Sequence, residues 1–221
     1  MIEDFDKKGY DVKNMRGYIK YGEVKYSFYS NGYHEANNRI IVHTLKETDK
    51  ISSSTMSFPF ESVSLIHFEA GIKGKDCEPV FSHAKGTVKY QYITNLTLQC
   101  KEKIPKGSDI EIYVRFKLMD WVLNNKQKIL DVLNEIYGDK CIAFLLPVTT
   151  TTPIIEYHID VSYPGFKIRK SKKVVADKAD VFGKPLSVIY EEDIPHKESE
   201  VSVNWDNLTP NKTYILLNYL E

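Results

Sequence analysis

The sequence is short of glycine, and this shortage excludes several kinds of catalytic site. Its 221 residues include 11 glycines but no Gly-x-Gly, so the glycine-rich loops that hold dinucleotides and phosphates are missing. No serine lies in a Gly-x-Ser-x-Gly elbow. A dispersed active site leaves no such motif, but the sequence favours a protein that is not an enzyme and uses no cofactor.

Neither an excess of positive charge nor a long apolar run is present. The 30 Lys and Arg residues balance 30 Asp and Glu residues, and nucleic-acid binders usually carry a basic surplus, so we expect no nucleic-acid partner. The longest apolar run, 141–148, is far shorter than the roughly 20 residues of a membrane span. The acidic start at 1–6 is unlike a signal peptide, and we therefore expect a cytoplasmic location.

Cysteine is scarce as well. Cys77, Cys100 and Cys141 form no Cys-x-x-Cys pair and no zinc-ribbon spacing. An odd, sparse set is typical of buried reduced thiols in a reducing compartment, and this is what we expect here. One disulfide with one free thiol is the alternative.

The residues that are abundant predict a mainly β protein. Val24, Tyr26 and Phe28 alternate with charged or small residues, which is the period of two of a half-buried strand. The Asn-Gly pair at 31–32 predicts a tight hairpin turn, and the polar, Ser-rich residues 47–57 predict an exposed loop. We expect an antiparallel β-sandwich, either as one unit or as two stacked β lobes.

One segment has helical spacing. Ile129 and Leu133 belong to an apolar stripe that predicts an amphipathic helix over 120–137. Asp120 is suited to cap the start of this helix, and Gly138 to terminate it.

The run Thr-Thr-Thr-Thr-Pro at 149–153 favours extended backbone and is a candidate boundary. It divides a β-rich region at 1–148, which includes the helix, from a second β-rich region at 154–221. These regions form either two domains or one continuous domain.

The stretch Leu208–Tyr214 resembles the turn-and-tyrosine segment of fibronectin type III and other immunoglobulin-like sandwiches. In those families the tyrosine hydroxyl bonds to nearby backbone. Trp205 lies just before this stretch, whereas those families place their core tryptophan much further upstream. The resemblance therefore implies a sandwich architecture rather than membership of the family.

The strongest charge feature is a basic segment. Five basic residues fall within seven positions: Lys167, Arg169, Lys170, Lys172 and Lys173. Such a segment can bind a small anionic ligand through its phosphates, or it can be a lysine-protected edge strand. An acidic run follows it: Glu191, Glu192, Asp193, Glu198 and Glu200. The two runs can face each other within the chain or across a symmetric subunit contact.

Tyrosines are concentrated near the N-terminus, and Tyr18, Tyr21 and Tyr29 are candidate contact residues. Exposed tyrosine anchors interfaces because it offers apolar area with little rotamer entropy. Ordinary packing in a tyrosine-rich sheet is the alternative.

Glu156, His158 and Asp160 lie on one face of a predicted strand. Two acids around an imidazole could supply metal ligands or a general base. Alternate residues of a strand are ~7 Å apart, however, which is too far for all three to reach one ion easily. A solvated polar face is the alternative.

These observations predict a non-catalytic binding or assembly module that acts through an exposed β face or edge. Its partner would be another protein or a second copy of the chain. Two alternatives are a sensor that binds a nucleotide or another phosphate-bearing ligand through 167–173, and a metal-dependent hydrolase centred on His158.

Overall fold

The structure, a computed structural model, describes residues 2–57 and 60–221, and the side chains of 54–57 lie outside this description. The described residues form thirteen strands and two helices, which confirms the prediction of a mainly β protein. Within these ranges, neither helix has both the length and the apolar character needed to cross a membrane.

The strands form three sheets. The strands of the six-stranded sheet are, in spatial order, β12 (Glu200–Asp206), β9 (Ile154–Ser162), β1 (Gly17–Phe28), β2 (Tyr33–Thr44), β7 (Asp109–Asp120) and β4 (Val63–Ile72). Those of the four-stranded sheet are β11 (Pro185–Asp193), β10 (Ile168–Ala179), β13 (Lys212–Leu220) and β8 (Cys141–Val148). Those of the three-stranded sheet are β3 (Thr48–Ser57), β6 (Tyr92–Ile104) and β5 (Cys77–Lys85). Among the described strands, β1 and β9 pair in parallel and the other pairs are antiparallel.

The six-stranded sheet is shared by two sandwiches. The inward side chains of β9 and β12, such as Ile159 and Val203, belong to one core with Ile215 of the four-stranded sheet. The inward side chains of β4 and β7, such as Ile112, belong to a second core with Leu98 of the three-stranded sheet. This arrangement confirms the predicted β-sandwich architecture.

Side-chain alternation in β1 follows the sequence prediction. Phe28 is fully buried and Val24 packs against the same core, while Lys25 between them is exposed. The predicted turn joins β1 to β2, and Gly32 there has φ of 81°. A Cβ at this glycine would lie 2.5 Å from the carbonyl oxygen of Leu123, so the turn and the neighbouring loop require glycine.

The predicted helix is present, but it begins later than the sequence predicts. Strand β7 continues to Asp120, and the helix α2 spans Lys126–Tyr137. The side chain of Asn125 accepts a hydrogen bond from the backbone N–H of Lys128 and is the real N-cap. Gly138 has φ of 76° and terminates the helix as predicted.

Two short elements differ from the sequence prediction. The Ser-rich segment predicted as a loop forms β3, an edge strand whose Ser52 hydroxyl lies 3.1 Å from the hydroxyl of Thr97 on β6. An edge strand with one solvated face tolerates polar residues, so the apolar alternation on which the prediction depends is missing. The N-terminal residues form a short helix, α1 (Ile2–Lys7), which the sequence analysis does not predict.

The prediction of three reduced thiols is wrong. Cys77 on β5 lies directly opposite Cys100 on β6, and the two form a disulfide. Cys141 is free and buried. The sequence spacing gave no sign of this pair because strand register, which depends on the whole sheet, brings the two residues together.

The implied bond of the turn-and-tyrosine segment is present. The hydroxyl of Tyr214 accepts a hydrogen bond from the backbone N–H of Thr209 at 2.8 Å. This bond fixes the turn that leads from β12 into β13, so the resemblance correctly indicated this local geometry.

Candidate functional site

The basic segment lies at the start of β10, beside the acidic part of β11. The ammonium nitrogen of Lys170 lies 2.9 Å from a carboxylate oxygen of Asp193, and that of Lys172 lies 3.1 Å from a carboxylate oxygen of Glu191. The hydrogen bond to Glu191 raises the pKa of Lys172. The basic and acidic runs therefore face each other within the chain, as one of the two sequence hypotheses stated.

The other basic residues also have partners. Lys167 lies 3.2 Å from Glu198, and Arg169 lies 2.6 Å from Asp139. The hydrogen bond to Asp139 raises the pKa of Arg169. Lys173 has no acidic partner within the described ranges, but its ammonium group lies 4.5 Å from the centre of the Trp205 ring, within the range of a cation–π contact.

A surface depression of about 400 Å³ lies over this segment. Its walls are formed by Asp139, Arg169, Lys170, Lys172 and Tyr219. An anion entering it would compete with the carboxylates that already accept from the three cations. The geometry therefore offers a weak anion site, and the assignment of a phosphate-bearing ligand stays a prediction.

The candidate tyrosines are divided between the core and the surface. Tyr18 is 5% exposed and packs against Phe5, with ring centres 5.2 Å apart. Tyr21 and Tyr29 are partly exposed, and the hydroxyl of Tyr29 donates to Glu35 at 3.2 Å. Only the last two could contact a partner without rearrangement, and their role stays a prediction.

Glu156, His158 and Asp160 lie along the outward face of β9. The Nε2 atom of His158 is 2.8 Å from Asp160, and its Nδ1 atom contacts the side-chain oxygen of Asn204 on β12. Ser202 donates its hydroxyl hydrogen to Asp160 rather than to the imidazole. Both ring nitrogens are thus engaged by neighbours, and no serine whose side chain is described hydrogen-bonds to the imidazole, as a nucleophile with its general base would.

No group of three or more potential ligands in the described ranges could hold a metal ion. The free thiol is no better placed for chemistry, since burial raises the pKa of Cys141 to about 12 and the thiolate is the nucleophilic form.

A second depression, of about 370 Å³, lies on the outward face of the six-stranded sheet. Its cations are partly matched by acids, since Arg115 lies 3.4 Å from Glu69 and Lys117 lies 4.0 Å from Glu35. The surface is polar and mixed in charge, and it specifies no particular ligand.

The sequence patterns did not predict the most unusual surface. It is the edge strand β11, on which four consecutive or near-consecutive apolar side chains face solvent. We call them the β11 patch: Leu186 (66% exposed), Val188 (47%), Ile189 (50%) and Tyr190 (47%). A short apolar run between a proline and an acidic cluster was the available signal, because proline marks edge strands.

The exposed apolar residues lie on an edge strand that is paired irregularly. Its register with β10 shifts at three places between Val175 and Ala179. No further strand covers its outer edge among the described residues. Alternation alone would turn half of these side chains into the core, but side chains on both faces of β11 are exposed.

The comparisons with known proteins assign no family. No family model and no curated protein matches the sequence. Among solved structures, a Parabacteroides distasonis protein described provisionally as a protease is 10% identical with a TM-score of 0.46, over 92% of this chain and 40% of its own. An M1 zinc metallopeptidase from Deinococcus radiodurans is 8% identical with a TM-score of 0.42, over 91% of this chain and 42% of its own. The chain thus spans about two fifths of the length of these structures, and a likeness of this degree carries no argument about function.

Proposed function

We propose that this chain is a non-catalytic binding or assembly module whose main contact surface is the β11 patch. The exposure of four large apolar side chains on one edge strand is the observation that carries the proposal. Scattered exposed apolar residues are normal, but contiguous ones mark sites of protein–protein contact or of aggregation.

The chemistry of the patch favours a protein partner. Leu186, Val188 and Ile189 offer apolar area without polar groups, and Tyr190 adds a rigid ring with a hydroxyl at its tip. Aromatic residues of this kind are enriched at the centres of protein interfaces. The acidic residues that follow, 191–193, supply a charged rim.

The two alternative functions have less support. The cations of 167–173 already contact carboxylates or an aromatic ring. We therefore expect nucleotides to leave the Tm of the protein unchanged, because only a bound ligand would raise it. A rise in Tm with any nucleotide would restore the sensor hypothesis.

For the hydrolase hypothesis, both ring nitrogens of His158 are already engaged, by Asp160 and Asn204.

The cytoplasmic location predicted from the sequence conflicts with the disulfide between Cys77 and Cys100, because cytoplasmic thiols are kept reduced. Alkylation of the chain during denaturing lysis of its native cells, which exposes the buried thiol of Cys141, followed by counting of the modified cysteines, separates the two cases. Modification of all three cysteines would support the cytoplasm, and modification of Cys141 alone would support an oxidising compartment.

Site-specific photo-cross-linking tests the proposal directly. A photoreactive residue replaces Val188 in the native host, and a matched control replaces Val80, which is exposed on the edge strand β5. We expect a discrete adduct from position 188 and none from position 80. The adduct is then identified and its complex rebuilt from purified components. Equal background labelling at both positions would overturn the proposal.

A further inference from the structure

We propose that the occupant of the β11 patch is a second copy of this chain, docked antiparallel about a twofold axis near Val188. This inference rests on the proposed function and specifies its partner. It follows from the charges that flank the patch, which are opposite in sign at its two ends.

Lys184 precedes the patch and Glu192 follows it, each four positions from Val188. Neither side chain has an ion-pair partner among the described residues, whereas Glu191 and Asp193 are paired with lysines of β10. The carboxylate of Glu192 accepts a hydrogen bond from Tyr190. In the described part of the chain, one cation and one anion without an ion-pair partner therefore remain at opposite ends of an apolar strip.

A twofold axis at Val188 would pair the opposite charges at both ends of the β11 patch. Because positions 184 and 192 are each four residues from Val188 along the chain, an antiparallel arrangement would bring Lys184 of each copy toward Glu192 of the other. A parallel arrangement would instead place like charges together. Self-complementarity of this kind is the requirement for an isologous interface, and opposite charges across a contact fix its orientation.

The side chains, rather than a continuous backbone ladder, would form the contact. The register shifts between Val175 and Ala179 interrupt the regular row of backbone groups along β11. Irregular edges of this type resist strand-to-strand pairing. The apolar side chains remain accessible, so two patches can pack face to face and exclude water.

Sedimentation velocity of the full chain, over about a hundredfold range of concentration, measures the dimer. We expect the wild type to dimerise reversibly. Val188→Lys would bring two lysines together at the axis and weaken the dimer at least about tenfold. Val80→Lys makes the same change at an exposed position of β5 and should leave the dimer unchanged.

Charge reversal tests the predicted pairing. Lys184→Glu and Glu192→Lys should each weaken the dimer by roughly threefold to tenfold. The double variant restores opposite charges and should return to within about twofold of the wild type. Circular dichroism checks that each variant is folded, and the recovery of the double variant cannot arise from misfolding.

The outcomes separate this inference from the function on which it rests. A wild type that is monomeric at every concentration, or a double variant that fails to recover, overturns the second-copy inference. If position 188 then still cross-links to a different protein, the binding module stands with another partner. If it cross-links to nothing, both proposals fail.

Discussion

At the scale of single residues, the carboxylate of Asp120 joins two loops that are far apart in sequence. It is fully buried, and it accepts hydrogen bonds from the backbone N–H groups of Glu61, Ser62, Val122 and Leu123. Asp120→Asn would turn an NH₂ group toward some of these donors. We expect the free energy of unfolding to fall by about 2–4 kcal/mol, measured by urea denaturation.

Asp206→Asn is the matched control for this change. Asp206 also ends a strand, β12, but its side chain is exposed. The free energy of unfolding of this variant should remain within about 0.5 kcal/mol of the wild type. Equal losses in the two variants would contradict the role assigned to the buried carboxylate.

His34 makes stability depend on pH. Its imidazole ring is buried between aromatic rings, and the ring centre lies 4.4 Å from the ring centre of Phe28 and 4.7 Å from the ring centre of Phe60. The Nδ1 atom of His34 has no hydrogen-bond partner in the described structure. Burial lowers the pKa of His34 from 6.5 to about 3. Between these values the unfolded chain binds a proton that the folded chain does not, so acid favours unfolding.

We therefore expect the contribution of His34 to stability to be complete above pH 6.5 and to fall toward pH 3. The slope is at most about 1.4 kcal/mol per pH unit. Urea denaturation at pH 7 and pH 5 should show a smaller loss for His34→Leu than for the wild type. His196→Leu, at an exposed position, should keep the wild-type loss, and an unchanged loss in His34→Leu would refute this assignment.

At the scale of elements, the disulfide secures β5, an edge strand that is otherwise held by β6 alone among its sheet partners. It closes a loop with a sequence separation of 23, and constraint of the unfolded chain should contribute about 3 kcal/mol. Reduction should lower the Tm and expose residues 73–91 to protease. If reduction changes neither the Tm nor the protease sensitivity of residues 73–91, the disulfide contributes little to stability.

The elements that the sequence predicted correctly are those in which the pattern of apolar and polar side chains follows which face is buried. Val24, Tyr26 and Phe28 alternate because one face of β1 is core and the other is solvent. The start of α2 was misplaced because Asp120 and Asn125 are both good caps. Burial of Asp120 against two loops, which depends on tertiary structure, decided between them.

At the scale of the whole molecule, strands from 1–148 and from 154–221 share sheets. In the six-stranded sheet β9 pairs with β1, and in the four-stranded sheet β13 pairs with β8. The division into two domains stays a prediction, and the shared sheets lead us to expect one cooperative unfolding transition. In Trp121→Phe, the fluorescence of Trp205 and the far-ultraviolet ellipticity should change together, whereas separated transitions would indicate independent domains.

The candidate site could be predicted only in part from the sequence. The sequence predicted that the basic and acidic runs could attract each other, because the sign of each charge is known from the residue type alone. The sequence did not predict the β11 patch, since the same apolar residues would be buried in the core if the strand were central. Their exposure follows from the position of β11 at the edge of the sheet, which the order of all four strands determines.

The place of β13 also has a consequence for how the protein is made. This strand lies between β10 and β8 and pairs with both, although it follows both along the chain. During synthesis, β8 and β10 therefore emerge from the ribosome before the strand that joins them. Until residues 212–220 are made, β10 has only β11 as a partner in this sheet, and apolar side chains of β8 and β10 stay uncovered. The nascent chain should depend on chaperones until that stretch is released.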